Sequence, residues 1–387
     1  MRNFIIAAVC VLGLLGCAHG VDTAGETDAG EMDVGDTPEA GMIDSGSETS
    51  TTYDASWDGG AGGFDLGAPE TDPMIYMGGN VMTAPINVYV IWYGSWTGSA
   101  VPAVMTDFLS HVGQSNWFKI NTAYYQQSGV TYDAGTRGLT SQRKVMLTRH
   151  KSNERRQANL VLDGGVSEGS VDSGAGSDAG LGPKIYVDGG VSVVKSINVD
   201  YTYGNSITDD DVVSIITDAI TAKQLPLDPD GAYYVFTSGD VSEGSFYGGN
   251  FCFDFCGWHN NTSISNTDIK YIYIGDPSSC LENCTPESEY QQYGFSQSPN
   301  GSWSADGMVS VAGHELSEVA SDPSPSTTPA WQDDFGYETA DKCAWTYGQP
   351  YVTSNDSVAN VHISDRDYMI QQLWVLDNDG GRCDLHQ

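Results

Sequence analysis

The chain has 387 residues, with 51 acidic side chains against 16 Lys and Arg and a formal net charge of −35. Nucleic acid is therefore excluded as a partner, because phosphate binding needs clustered cations. The length allows one elaborated domain beside non-domain segments.

Arg2 supplies a short positive n-region, and Phe4 to Leu15 is an apolar run too short to span a bilayer. Residues 1–16 therefore read as a signal peptide. The run ends in Leu14-Leu15-Gly16-Cys17, which resembles a lipobox, so Cys17 is the predicted lipidation site. The chain is expected to be exported and held at the cell envelope by its lipid, since two or more acyl chains anchor stably where one does not. Soluble secretion with Cys17 incidental is the alternative. Val21 to Asp72 contains no Lys or Arg and is dominated by Asp, Glu, Gly, Ser and Thr. Such a segment buries too little apolar surface to offset its chain entropy, and 17–72 reads as a disordered acidic tether.

Residues 73–387 form the predicted folded domain. Ile86 to Trp92 is β-branched and aromatic and reads as a buried strand; Pro102 to Val112 follows with Val104, Phe108 and Val112 at helical spacing. The chain's main basic run, Arg143 to Arg156, offers a solvated face or a contact for anionic lipid or polysaccharide. A Gly/Ser/Asp-rich insertion at about 163–183 reads as a long surface loop. Thr208 before three aspartates and the periodic Val212, Ile215, Ile216 and Ile220 marks a capped helix start. Asp228 to Gly231 reads as a turn, and Ala232 to Thr237 and Ile269 to Ile274 as strands. The order predicts an α/β or α+β fold, a single domain with a central mixed sheet flanked by helices.

Outside the signal and lipidation positions six cysteines remain: Cys252, Cys256, Cys280, Cys284, Cys343 and Cys383. An even number in an exported chain points to disulfides. The two Cys-x-x-x-Cys pairs with His259 close behind are also compatible with a four-ligand zinc site. Cys343 with Cys383 is the expected bridge by elimination, the other four clustering together.

Several segments resemble the EXORDIUM or phosphate-induced protein family in both order and wording. They are Asn87-Val-Tyr-Val-Ile-Trp-Tyr-Gly-Ser-Trp96, Tyr233 to Val241, Cys252-x-x-x-Cys256-Gly-Trp-His259, the second Cys-x-x-x-Cys, and Asn360-Val-His362 leading to Trp374 and Cys383. The resemblance runs from about Ile86 to Cys383 and implies an exported domain without naming a reaction.

One constellation carries chemistry. Met308 to Asp322 has apolar residues at helical spacing, and His314, Glu318 and Asp322 recur every fourth residue, nearly on one face. His314-Glu315-x-x-Glu318 resembles the zincin helix His-Glu-x-x-His with glutamate for the second histidine. By that analogy His314 and Glu318 are metal ligands and Glu315 is the catalytic base that takes a proton from metal-bound water. Glu338 is the first choice for third ligand and Asp341 the second; His259, His362 and Asp322 are secondary candidates. The added carboxylate keeps Zn²⁺ possible and brings in Ca²⁺ or Mn²⁺. The competing reading makes Glu315 and Glu318 the solvated side of an amphipathic helix. Asp377 to Gly380 has a few EF-hand letters and reads as a turn.

Two functions follow. One is a metal-dependent hydrolase, a zincin-like metallopeptidase acting on peptide or cell-wall substrates. The other is a non-catalytic extracellular domain binding a wall polysaccharide or protein partner, with Trp92, Trp96, Trp117, Trp258 and Trp331 as stacking platforms or as core.

Overall fold

The computed structural model describes residues 73–130, 144–147, 181–244, 249–292, 294–377 and 380–386. The expected signal peptide, Cys17, the acidic tether, most of the insertion at about 163–183 and all but Lys144 of the basic run lie outside the described residues.

The predicted strand at Ile86 is β1 (Ile86–Tyr93), and α1 (Val101–His111) follows it. Next come β2 (Lys144–Leu147), β3 (Val191–Val199) and α2 (Asp209–Thr221). The aspartates after Thr208 do what their placement predicts. Thr208 accepts from the Asp211 amide, and the Asp211 carboxylate accepts from the Thr208 amide at 2.8 Å, a reciprocal box that satisfies two orphan donors. The Asp228–Gly231 turn closes with the Gly231 amide on the Asp228 carbonyl at 3.1 Å and launches β4 (Gly231–Thr237). A hairpin, β5 (Phe255–Ile264) and β6 (Thr267–Gly275), then precedes the long helix α3 (Trp303–Ser321).

These strands make one mixed sheet in the order β2-β5-β6-β4-β1-β3. Strands β3, β1, β4 and β6 run parallel, β5 is antiparallel to β6, and β2 is antiparallel to β5. Strand β4 is buried at every position, which suits a central strand covered on both faces. The chain steps one way from β1 to β3 through α1 and back past β1 to β4 through α2. Helix α3 packs against α1, β5 and β6.

Three disulfides staple the domain: Cys252–Cys280, Cys256–Cys284 and Cys343–Cys383. The last is the expected pair. The first two overturn the four-cysteine zinc site, because each sulfur is covalently committed to a partner across the two Cys-x-x-x-Cys segments. The tryptophan platforms also give way to core: Trp92, Trp117, Trp258 and Trp331 are buried, and half-buried Trp96 packs edge-on against Trp92 at 5.1 Å. At the EF-hand-like turn, the Asp377 carboxylate accepts from the Gly381 amide at 2.8 Å and pairs with Arg382 at 3.0 Å. Among the described residues no helix is long and apolar enough to cross a membrane.

Candidate metal centre

Helix α3 begins at Ser302, whose side chain accepts from the Ala305 amide, and every residue from Ala305 to Ser321 is buried. A helix enclosed on all sides has no solvated face. That overturns the amphipathic reading of Glu315 and Glu318, whose exposures are 0% and 1%.

Close packing brings β5 to this helix. A Cβ on Gly257 would stand 2.6 Å from Val311 Cγ1 and 2.7 Å from Ile274 Cδ1, so only glycine lets α3 approach there. His259 is two residues further along β5 and projects to the same face, since strand side chains alternate. Its ring meets Glu315 and Glu318: Nδ1 lies 3.0 Å from Glu315 Oε2 and 3.5 Å from Glu318 Oε2. Nε2 lies 3.3 Å from the Asp322 carbonyl and 3.6 Å from Glu338 Oε1.

The segment carrying Glu338 and Asp341 is pinned independently. Asp333 and Lys342, both wholly buried, pair at 3.0 Å; Asp333 also accepts from the Phe335 and Tyr337 amides. The Lys342 ammonium sits 4.5 Å over the Trp374 ring, and the next residue is the disulfide-bonded Cys343. The segment closes onto α3 through the Asp341 amide, which donates to Glu318 Oε1 at 3.0 Å, and a Ser321–Thr339 hydroxyl contact of 3.2 Å.

His314 Nε2 stands 3.2 Å from Glu318 Oε1 and 3.6 Å from Asp341 Oδ1, yet neither ring nitrogen of this buried residue makes a hydrogen bond. Donors around a cation at bond lengths near 2.1 Å are separated by about 3.0–3.4 Å, close to the spacings found here. Ligand atoms of His314, Glu315 and Glu318 lie within 4.8 Å of one another, as do those of His259, Glu318 and Glu338.

Burial and mutual charge dominate the electrostatics. Desolvation opposes a charged His314, but the carboxylates of Glu318, Asp341 and Glu315 outweigh it and hold its pKa well above the histidine norm. At His259 desolvation is likewise overcome, chiefly by the hydrogen bond to the Glu315 carboxylate, and the pKa is raised. Burial raises Glu315, and it pushes Asp322 up to about 6.

The expected site residues sort as follows. His314, Glu315, Glu318, Glu338, Asp341 and His259 are gathered. The preferred third donor changes sides: Asp341 is the one facing His314, while Glu338 faces His259. Asp322 ends α3 beside the cluster: its carboxylate accepts from the Ala330 amide at 2.8 Å and Gln332 Nε2 at 2.9 Å, and it interacts with Glu338 and His259. His362 is excluded; its side chain is 61% exposed and pairs with Asp367 at 2.8 Å. The Asp322 carbonyl, facing His259, was not anticipated, since any backbone oxygen is a donor and sequence does not mark this one.

Known proteins offer a frame for this site. The model of the phosphate-induced protein 1 conserved region matches residues 184–382, just over half of the chain. Among curated proteins, Protein EXORDIUM-like 5 of Arabidopsis thaliana is 27% identical over 292 residues, covering 70% of this chain and 64% of the relative. The chain therefore spans less than two thirds of that protein's length. Protein EXORDIUM-like 3 of Arabidopsis thaliana is 26% identical over 327 residues, covering 77% of this chain and 79% of the relative. No solved structure matches.

Proposed function

The chain belongs to the family of the phosphate-induced protein 1 conserved region, and from that premise we propose that it is a cell-surface lipoprotein whose buried cluster binds a divalent cation for zincin-type hydrolysis of peptide or wall substrates. The observation that carries the reading is the convergence of His314, Glu315 and Glu318, with ligand atoms within 4.8 Å, on a helix with no solvated face. Burying ionised carboxylates side by side costs several kcal/mol, which a counter-cation or protons would offset. His314 and Glu318, with Asp341 opposite, are the donors for the ion; Zn²⁺ and Mn²⁺ suit an imidazole mixed with carboxylates, and Ca²⁺ suits the carboxylates. A cation held there would activate water for hydrolysis, and Glu315, beside the first donor, would be the residue placed to accept a proton. Lipidation at Cys17 would place the domain at a membrane surface.

A second reading is favoured by the enclosure itself. His259, His314, Glu315 and Glu338 have no exposure, and substrate needs access. In this reading the ion is structural, tying α3 to β5 and to the 338–341 segment of a non-catalytic surface domain that binds a wall polysaccharide or a protein.

Metal content, stability and peptide hydrolysis separate the two. The full-length chain, purified in detergent and reconstituted with Zn²⁺ or Mn²⁺, should retain the ion, and His314→Ala should release it while His362→Ala does not. Under the hydrolase reading Glu315→Gln keeps the ion and loses cleavage of a peptide library. Under the structural reading no cleavage is found, and chelation lowers the unfolding midpoint. Failure to bind any ion would remove both. Release of a Cys17→Ala variant from the membrane fraction tests the anchor.

A further inference from the structure

We propose that the cluster takes two divalent cations bridged by the carboxylate of Glu318; this rests on the metal reading above and deepens it. Glu318 is buried, and its oxygens face different imidazoles. Oε1 lies 3.2 Å from His314 Nε2, and Oε2 lies 3.5 Å from His259 Nδ1. Asp341 Oδ1 stands 3.6 Å from His314 Nε2 and Glu338 Oε1 stands 3.6 Å from His259 Nε2, and ligand atoms of His259, Glu318 and Glu338 lie within 4.8 Å of one another. Glu315 reaches both sets: it shares ligand distance with His314 and its Oε2 is 3.0 Å from His259 Nδ1. A bridging carboxylate flanked by two His/carboxylate pairs is the donor pattern of paired cations about 3.5–4 Å apart.

The ring nitrogens of His314 supply an independent indication. His314, wholly buried, has two ring nitrogens with no hydrogen bond and carboxylates in front of Nε2.

The test uses the full-length chain in detergent, stripped with chelator and reconstituted with Mn²⁺ and, separately, Zn²⁺. Ions per chain are counted by elemental analysis, and the Mn²⁺ form is examined by electron paramagnetic resonance. Expected are two ions per chain and an exchange-coupled multiline Mn²⁺ spectrum. His259→Ala and Glu338→Gln should each leave one ion with an isolated six-line signal, and Glu318→Gln should abolish the coupling. Glu338→Gln is nearly isosteric, so it keeps the test alive if His259→Ala does not fold. One ion per wild-type chain overturns the bridged pair and leaves the single-cation reading intact; no ion overturns both. Two ions whose number neither His259→Ala nor Glu338→Gln changes would place the second elsewhere and also overturn it.

Discussion

Replacing Lys342 by Met tests how the segment bearing Glu338 and Asp341 is held in place. Met preserves most of the buried volume but leaves Asp333, wholly buried, without its ammonium partner at 3.0 Å. Removing one member of a buried pair costs about 3–5 kcal/mol, because the other charge stays desolvated. Asp333 retains the Phe335 and Tyr337 amides, which places the expected loss near the lower end, about 3 kcal/mol. The Lys342 contact with Trp374 is lost as well and adds about 0.5–2 kcal/mol. Urea unfolding of the oxidised protein, followed by tryptophan fluorescence, measures the change. Asp333→Asn combined with Lys342→Met should recover much of the loss, because no uncompensated charge remains. A double-mutant cycle should give a coupling of about 2 kcal/mol or more. Coupling below about 0.5 kcal/mol would refute the assignment of this pair as what pins the segment.

Other outcomes follow from the same geometry. Gly257→Ala puts a methyl 2.6 Å from Val311 Cγ1, so it should cost about 1–3 kcal/mol and, by moving α3 off β5, weaken cation binding in calorimetric titration; unchanged affinity would show that this contact does not position His259. Asp306, 1% exposed, has its pKa raised to about 6 chiefly by burial, above the 3.8 of the unfolded chain. Its folded form binds the proton more tightly, so its contribution to stability is present at low pH and is lost as pH rises from about 4 through 6, by about 3 kcal/mol in all. The stability of wild type relative to Asp306→Asn, measured at a series of pH values, should fall over that window, and a flat difference would contradict the shift. Replacing both Cys343 and Cys383 by Ala opens a loop with a sequence separation of 40 and should cost about 4 kcal/mol by chain entropy, read as a lowered urea midpoint.

Much of the fold is legible residue by residue. The β-branched run at Ile86, the Thr208 cap and the Asp228–Gly231 turn each act through neighbours within a few positions. The structure places β1, α2 and β4 where those signals predict, with ends shifted by a residue. Strand β5 was not anticipated: its outer half, Asn260 to Ser263, is polar, and its inner half was read for cysteine and histidine chemistry. The helix α3 starts five residues before the predicted Met308 because Ser302 caps it further upstream.

The amino-acid sequence by itself determined the acidic character of the chain, the strand and helix periods, the even cysteine number and the one-turn spacing of His314 and Glu318. These are local or compositional properties, set by backbone geometry and side-chain chemistry alone. Only the tertiary structure decided that Glu315 meets His259 from a strand 56 positions away, that Asp341 rather than Glu338 faces His314, that His362 is directed elsewhere, and which of the four clustered cysteines pair. Chelation and disulfide pairing depend on how closely separate elements pack. Here a glycine without a Cβ and a pinned loop set that approach, and no periodicity along the chain encodes it.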